Sequence, residues 1–512
     1  MARFPFSRLS TLVILLGAVF AANIPTAQAA VETDEVRTAK YFDAIRNDPT
    51  ELQIFLRRMP KGGDLHNHLS GAIYVESMID WAVQDGICVR LTPLAFAKPP
   101  CMSDQGTVPA AEFTKSSSNT RRLIDALSMR DFVATPDHSG HDQFFDSFDR
   151  FNAALTHHKA DMVVDAVNQA AHDRLIYVEF MDSPGMDEAR AIGRDIELGD
   201  DINLFLDQAL PALDELVSKT KARMNALDQD VQQKLKCKTP MAAAGCAITV
   251  RYLAQVIRTF PPREVFAQAA FGYLLAQADD HFVGLNFVAP EDDPIAVHDY
   301  DAHMRVLNSL GKRFPSVKLS LHAGEVWPGL VAPDALRHHI HDAVTMAGAR
   351  RIGHGVDIGF EDDAVQTLAD MAAKKILVEI NLTSNDGILG VRGSAHPLMT
   401  YYKSRVPLAL STDDEGVSRI DLTHEIHRAV TTYPLRYRDL KAMVRNSLEY
   451  AFVPGDSLWL QTAPYQLRPE CQQKNAPICQ AFLAKSTRAQ LQMTLEDLFI
   501  QFEAETPRAK RY

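Results

Sequence analysis

The chain has 512 residues, of which 46% are hydrophobic, 23% charged and 8% aromatic, a near-average globular composition that excludes collagen, coiled coil and wholesale disorder. At this length about three quarters of the unfolded chain's surface is expected to be buried, so a large core forms without staples or structural metals. Lys and Arg number 53 against 65 Asp and Glu, and the formal charge of -12 excludes a general attraction to nucleic acid or anionic lipid.

Residues 1–29 begin with Arg3 and Arg8, run apolar from Leu12 to Phe20 and end at Ala27-Gln28-Ala29. That is the pattern of a secretory signal peptide cleaved near Ala29. The apolar run is shorter than the ~20 residues that span a bilayer, so a stable membrane anchor is not expected after cleavage. Removing two arginines and no acid takes the charge from -12 to -14 and leaves a periplasmic or secreted protein. Residues 30–58 read as an N-terminal helical extension.

Short β-rich runs follow at 62–67, 174–180, 248–256, 281–288, 317–322, 351–354, 376–382 and 406–411, most of them trailed by a helical pattern. Eight strands alternating with helices imply parallel pairing with right-handed crossovers, and hence an α/β fold, a closed (β/α)8 TIM barrel over residues 59–455. An open doubly wound sheet is the runner-up, but no Gly-x-Gly-x-x-Gly follows any strand.

Residues 85–145 form a long insertion after the first strand. Near it Phe144, Phe145, Phe148 and Phe151 fall at helical spacing, which reads as a core face first and a pocket wall second. Residues 456–512 form a C-terminal extension with an amphipathic run from Ser486 to Phe502. The six cysteines fall as near neighbours in segments that read as loop or surface insert, and an oxidising compartment favours disulfides. Short loops close easily, so the expected pairs are Cys88–Cys101, Cys237–Cys246 and Cys471–Cys479. A zinc cluster is the weaker alternative, since no Cys-x-x-Cys occurs.

Active sites of such barrels lie at the C-terminal ends of the strands. His66 and His68 close the first strand, and residues two apart on a strand point the same way, so both imidazoles can converge on one ion. The fifth strand ends in Leu321-His322-Ala323-Gly324-Glu325, the sixth in Gly353-His354-Gly355 and the eighth in Ser411-Thr412-Asp413-Asp414. Three imidazoles and a carboxylate suit one Zn2+ per chain with a position left for water, whose pKa falls from 15.7 towards ~7. The set reads as hydrolytic, with Glu325 free to carry a proton and one aspartate free to meet substrate.

Other polar clusters carry less. His338, His339 and His341 on a helix after the fifth strand read as solvated surface, as do His157 and His158. Glu291-Asp292-Asp293 reads as a cap or turn near the rim. There is no Gly-x-Ser-x-Gly elbow, and the Pro-Cys-x-x-Cys of the other zinc deaminases is absent.

The segment from Met59 to Ala72 (MPKGGDLHNHLSGA), with LHAGE at 321–325, RIGHG at 351–355, EINLTSN at 379–385 and STDD at 411–414, resembles the adenosine deaminase family. The MPKG opening, the signal peptide and the long insertion look most like its secreted, growth-factor-related branch. The resemblance implies that His66, His68, His322 and Asp413 bind one zinc ion. It implies that Glu325 protonates the purine ring nitrogen beside the attacked carbon, that His354 orients and deprotonates the activated water, and that Asp414 bonds the imidazole edge of the purine. Adenosine, and with it 2'-deoxyadenosine, would become inosine plus ammonia, with no organic cofactor. Relatives of this architecture are often dimers, so a homodimer is an open expectation.

Two positions depart from the family pattern. Ser70 stands where many members place an Asp that holds the ribose, and Val288-Ala289-Pro290 stands where many have a Gly whose backbone meets the ring. Both Ser70 and Ala289 are candidate substrate contacts. Two other readings follow: a deaminase of another aminopurine or nucleotide such as adenine or AMP, and a non-catalytic nucleoside-binding or signalling barrel. Retention of Glu325 and His354 beside the four ligands argues against the second.

Overall fold

The computed structural model describes residues 32–199 and 201–507; the expected signal peptide lies outside the described residues. Eight parallel strands form the centre: β1 (Gly62–His68), β2 (Leu175–Asp182), β3 (Thr249–Ile257), β4 (Phe282–Val288), β5 (Ser320–Ala323), β6 (Arg351–His354), β7 (Leu377–Ile380) and β8 (Leu408–Leu410). β1 to β4 pair in chain order, as do β5 to β8. Single bridges close the two halves: Leu285 pairs with Leu319, and Asn67 with Asp413. The second closure brings β1 and the segment after β8 together through Asp413 N to His66 O and His68 N to Asp413 O, both 2.9 Å. The chain is therefore the α/β barrel expected from its strand pattern, and every strand begins and ends within a few residues of its apolar run.

Strand interiors are buried on both faces, since helices cover the outside and side chains fill the inside. The extensions meet at the opposite end of the barrel from the rim. Helices Asp34–Ile45 and Pro49–Arg58 pack on helices Tyr437–Glu449 and Thr487–Glu505 through a cluster of Phe42, Phe55, Tyr437 and Phe502. Lys441 joins them electrostatically, 2.6 Å from Glu503 and 3.0 Å from Glu35.

The insertion is more ordered than a loop. It builds a small antiparallel sheet from Cys88–Leu91, Leu94–Ala97 and Thr107–Pro109, then runs into helix Gly140–Leu155, which lies over the rim. That helix starts at a capping box, Ser139 with Asp142. The three cysteine pairs are Cys88–Cys101, Cys237–Cys246 and Cys471–Cys479, with Cα separations of 5.4, 5.6 and 4.7 Å. Cys88, Cys471 and Cys479 are buried rather than in surface loops, because each disulfide sits inside the small local core that it closes.

Two histidine readings are overturned. His158 is buried, stacked on Trp81 and bonded to Asp161 and Asp85, while His157 is exposed. His339 is buried and His341 half-buried, because helix His339–Thr345 turns its first residue inward against Tyr300.

Candidate active site

The rim collects the predicted residues from five strand ends. Nε2 of His66 and Nε2 of His68 lie 3.2 and 3.3 Å from Nε2 of His322, and each lies 3.3 Å from Asp413 Oδ1. The four groups place one donor atom each within 4.8 Å of the others. Nitrogens this close without a shared proton repel unless a cation sits among them.

The outer nitrogen of each ring supports that reading. Nδ1 of His66 meets Glu379 at 2.7 Å, Nδ1 of His68 meets Gln255 Oε1 at 2.8 Å, and Nδ1 of His322 meets Asn286 Oδ1 at 2.6 Å. An oxygen acceptor there keeps the proton on Nδ1 and turns the Nε2 lone pair inward, the arrangement metal-ligating histidines require. Glu379 is itself held by Ser320 and by Arg351 at 2.5 Å. Gln255, Asn286 and Glu379 were not singled out from the sequence, although each interrupts an apolar stretch near the end of its strand, which an inward-facing position must explain.

The electrostatics match a cage that wants positive charge. Burial works against a charged His66, but Asp413 and Glu379 raise its pKa to about 10. Burial would raise Asp413, yet its bonds to His66 and His68 hold it well below the carboxylate range. Donor types, tautomers and charge all fit a divalent metal.

Around this cluster stand the remaining candidates. Glu325 is buried, and its pKa is pushed well up by that burial and by the fields of Asp413 and Glu291. Its Oε1 lies 3.4 Å from His354 Nδ1. A hydrogen-bond chain sets the tautomer of His354: Leu398 N–H donates to His396 Nδ1 (3.1 Å), His396 Nε2 to Asn385 Oδ1 (3.0 Å), and Asn385 Nδ2 to His354 Nδ1 (2.9 Å). The His354 proton therefore sits on Nε2, which has no protein partner and lies 3.9 Å from Asp413. Asp414 is buried, with Oδ1 unpartnered and a pKa raised to about 8 by burial and by Asp413.

A cavity of about 440 Å³ opens above these groups, within the usual size of small-molecule sites. Its walls include Ser70, Gln255, Thr259, Ala289 and Ile388 together with Phe144, Phe145, Phe148 and Asp149 of the insertion helix. The aromatic stripe thus divides: Phe151 is core, while the other three face the cavity. Ala289 has φ +79°, the left-handed region where glycine is at ease and alanine is strained. His354 and Asp413 share that region at φ +70° and +61°, so strain gathers on the rim.

The family model for adenosine deaminase matches residues 124–458. The chain belongs to the adenosine deaminase family. His66 and His68 precede the matched stretch and are brought to the site by the barrel closure between β1 and Asp413. An adenosine deaminase of Mycobacterium marinum is 24% identical over 427 residues, covering 81% of this chain and 93% of that protein. One from Clostridium perfringens is 30% identical over 168 residues, and that match spans only 33% of this chain and 43% of the relative. Among solved structures, Arabidopsis ADAL complexed with GMP superposes with a TM-score of 0.54 at 18% identity, covering 89% of this chain and all of that one (100%). A Burkholderia ambifaria amidohydrolase with bound Zn gives 0.51 at 15% identity, covering 88% and 95%. These likenesses carry the fold; membership in the family carries hydrolytic deamination of a purine.

Proposed function

We propose that the protein is a zinc-dependent adenosine deaminase acting outside the cytoplasm, converting adenosine and 2'-deoxyadenosine to inosine or deoxyinosine plus ammonia. The observation that carries the choice of substrate is the cavity wall. Among the described residues it contains no Lys or Arg and does contain the carboxylate of Asp149, an environment that suits an uncharged nucleoside and opposes a phosphate.

His66, His68, His322 and Asp413 would hold the zinc ion, which supplies Lewis-acid activation of water at neutral pH. The chain's own residues do the rest. Asp414, whose carboxyl holds its proton, donates to N7, the acceptor on the imidazole edge of the purine, and sets the face presented to the metal side. Glu325 gives its proton to the ring nitrogen beside carbon 6, making that carbon electrophilic. His354 donates from Nε2 to the oxygen of the attacking water and fixes its approach. Because Nε2 already carries the proton and Nδ1 already accepts from Asn385, the deprotonating role that the resemblance implies for His354 passes to the Glu325 carboxylate left after proton transfer to the ring. Water bonds to carbon 6, the proton it sheds restores the Glu325–His354 pair, and the remaining hydroxyl proton leaves with the amine as ammonia, giving the 6-oxo ring. The phenylalanines of the insertion helix close the apolar side and keep bulk water out.

Export and the secreted branch are supported by the pattern of residues 1–29 and by three disulfides, which persist in oxidising compartments. A nucleotide substrate is the competing reading. A second chamber of about 680 Å³ adjoins the cavity at Phe144 and Ile388 and includes Arg392 and Arg428, although both arginines already face Asp386.

The test is loss of ultraviolet absorbance with adenosine, 2'-deoxyadenosine, adenine and AMP, before chelation, after it and after zinc is restored. Turnover of the nucleosides that vanishes and returns with zinc is expected. Preference for AMP or adenine would overturn the substrate, and silence on all four would overturn the activity.

A further inference from the structure

Glu291 reads from sequence as part of a turn, yet it is among the most tightly held carboxylates of the rim. It is 1% exposed, and both oxygens are engaged. Oε1 accepts from Gly324 N at 3.0 Å and from His339 Nδ1 at 2.6 Å, and Oε2 accepts from Glu325 N at 2.8 Å. His339 is fixed in turn, stacked on Tyr300 with centroids 3.8 Å apart and planes 7° from parallel, while the Tyr300 hydroxyl donates to His339 O at 2.6 Å. Gly324 takes φ +76°, and its carbonyl accepts from Val356 N at 2.9 Å. The two peptide N–H groups on either side of the turn therefore point at one buried anion. Glu291 itself is not part of the cavity wall, which passes through Val288, Ala289 and Pro290 and ends there.

We propose that Glu291 is the positioning residue of the proton-donating loop: it grips the backbone of Gly324 and Glu325, with His339 and Tyr300 behind it, and so sets where the Glu325 carboxyl stands relative to the ring nitrogen. The inference rests on the proton-donor reading of Glu325. A buried carboxylate with three donors is a stiff anchor, because breaking any one bond leaves a buried group unsatisfied. Peptide N–H groups bonded to solvent or to a neutral amide would allow the loop to shift. Displacement of a proton donor by about 1 Å can cost ~10²-fold in rate without altering how substrate is held.

The Glu291→Gln and His339→Gln variants of the full chain, loaded with zinc, test the role. Measured together are zinc content, melting temperature, KM, kcat, affinity for the flat product inosine, and affinity for a 1,6-dihydropurine ribonucleoside with a tetrahedral carbon 6. Glu291→Gln is expected to keep zinc, inosine affinity and KM within about twofold while kcat and affinity for the tetrahedral analogue fall together by ~10²-fold. His339→Gln, which leaves both loop bonds in place, should fall in the same direction but less. Unchanged kcat in Glu291→Gln, or a KM that rises and an inosine affinity that falls in step with the loss of kcat, would overturn the proposal. Should Glu291→Gln not fold, the same split in His339→Gln decides. Backbone amide exchange at Gly324 and Glu325, slow in the wild type and faster in Glu291→Gln, reads the grip without any turnover. A wild type inert on every aminopurine would remove the deaminase reading alone, whereas unchanged exchange would remove the grip.

Discussion

Asp414 lies directly across the backbone of Gly71: a Cβ built on Gly71 would stand 1.6 Å from Asp414 Oδ1. The glycine in His68-Leu69-Ser70-Gly71 is thus required by a side chain from the far end of the barrel sequence, which needs the space to reach the cavity. Gly71→Ala should push Asp414 off its position, raising KM at least ~10-fold for adenosine while zinc stays bound. Steady-state kinetics with metal analysis of the variant checks this, and an unchanged KM would show that Asp414 does not contact substrate from this position.

Glu325→Gln removes the transferable proton and keeps the shape. Turnover should fall by about 10²–10⁴-fold, with zinc content and inosine affinity preserved. Wild-type rates in this variant would refute the acid role.

Asn286 supplies the oxygen that orients His322, at 2.6 Å, without touching the cluster itself. Asn286→Ala should lower metal affinity by about 10–100-fold, measured by competition with a chelator, while kcat recovers in excess zinc. Loss of kcat that excess metal does not restore would assign Asn286 a different task.

His281 bridges Asp228 at 2.9 Å and Asp279 at 2.6 Å, and those bonds raise its pKa to about 9. A folded-state pKa above the unfolded value of 6.5 means that the folded chain binds the extra proton. This contribution to stability is complete below about 6.5 and is lost as pH rises through about 9. The melting temperature should therefore decline between those values, and His281→Gln should flatten that decline while lowering stability at pH 6. Parallel pH profiles for the two proteins would discard the assignment.

The strands were legible because parallel strands buried on both faces are predominantly apolar, and such runs recur along the chain with helical patterns between them. The rim residues were legible for a related reason: barrel chemistry sits at strand ends, so His66, His68, His322, His354, Asp413 and Asp414 announce themselves by position. Even Gln255, Asn286 and Glu379 left a local trace as polar breaks in apolar strands. Phe144, Phe145 and Phe148 were ambiguous, since a stripe at helical spacing states only that something covers it. What covers it is the cavity, because the insertion folds back over the rim.

Sequence by itself determined the barrel and singled out the candidate ligands and the candidate proton carrier Glu325, all of which depend on local periodicity or on place along a strand. Tertiary structure alone decided which histidines are buried, that Glu291 reaches the backbone of Gly324 and Glu325, and that Asp414 needs the space beside Gly71. Those facts belong to pairs of residues 33 to 343 positions apart in the chain. A contact between distant segments depends on how whole helices and loops settle against each other, and no residue pattern within either segment encodes the other's position.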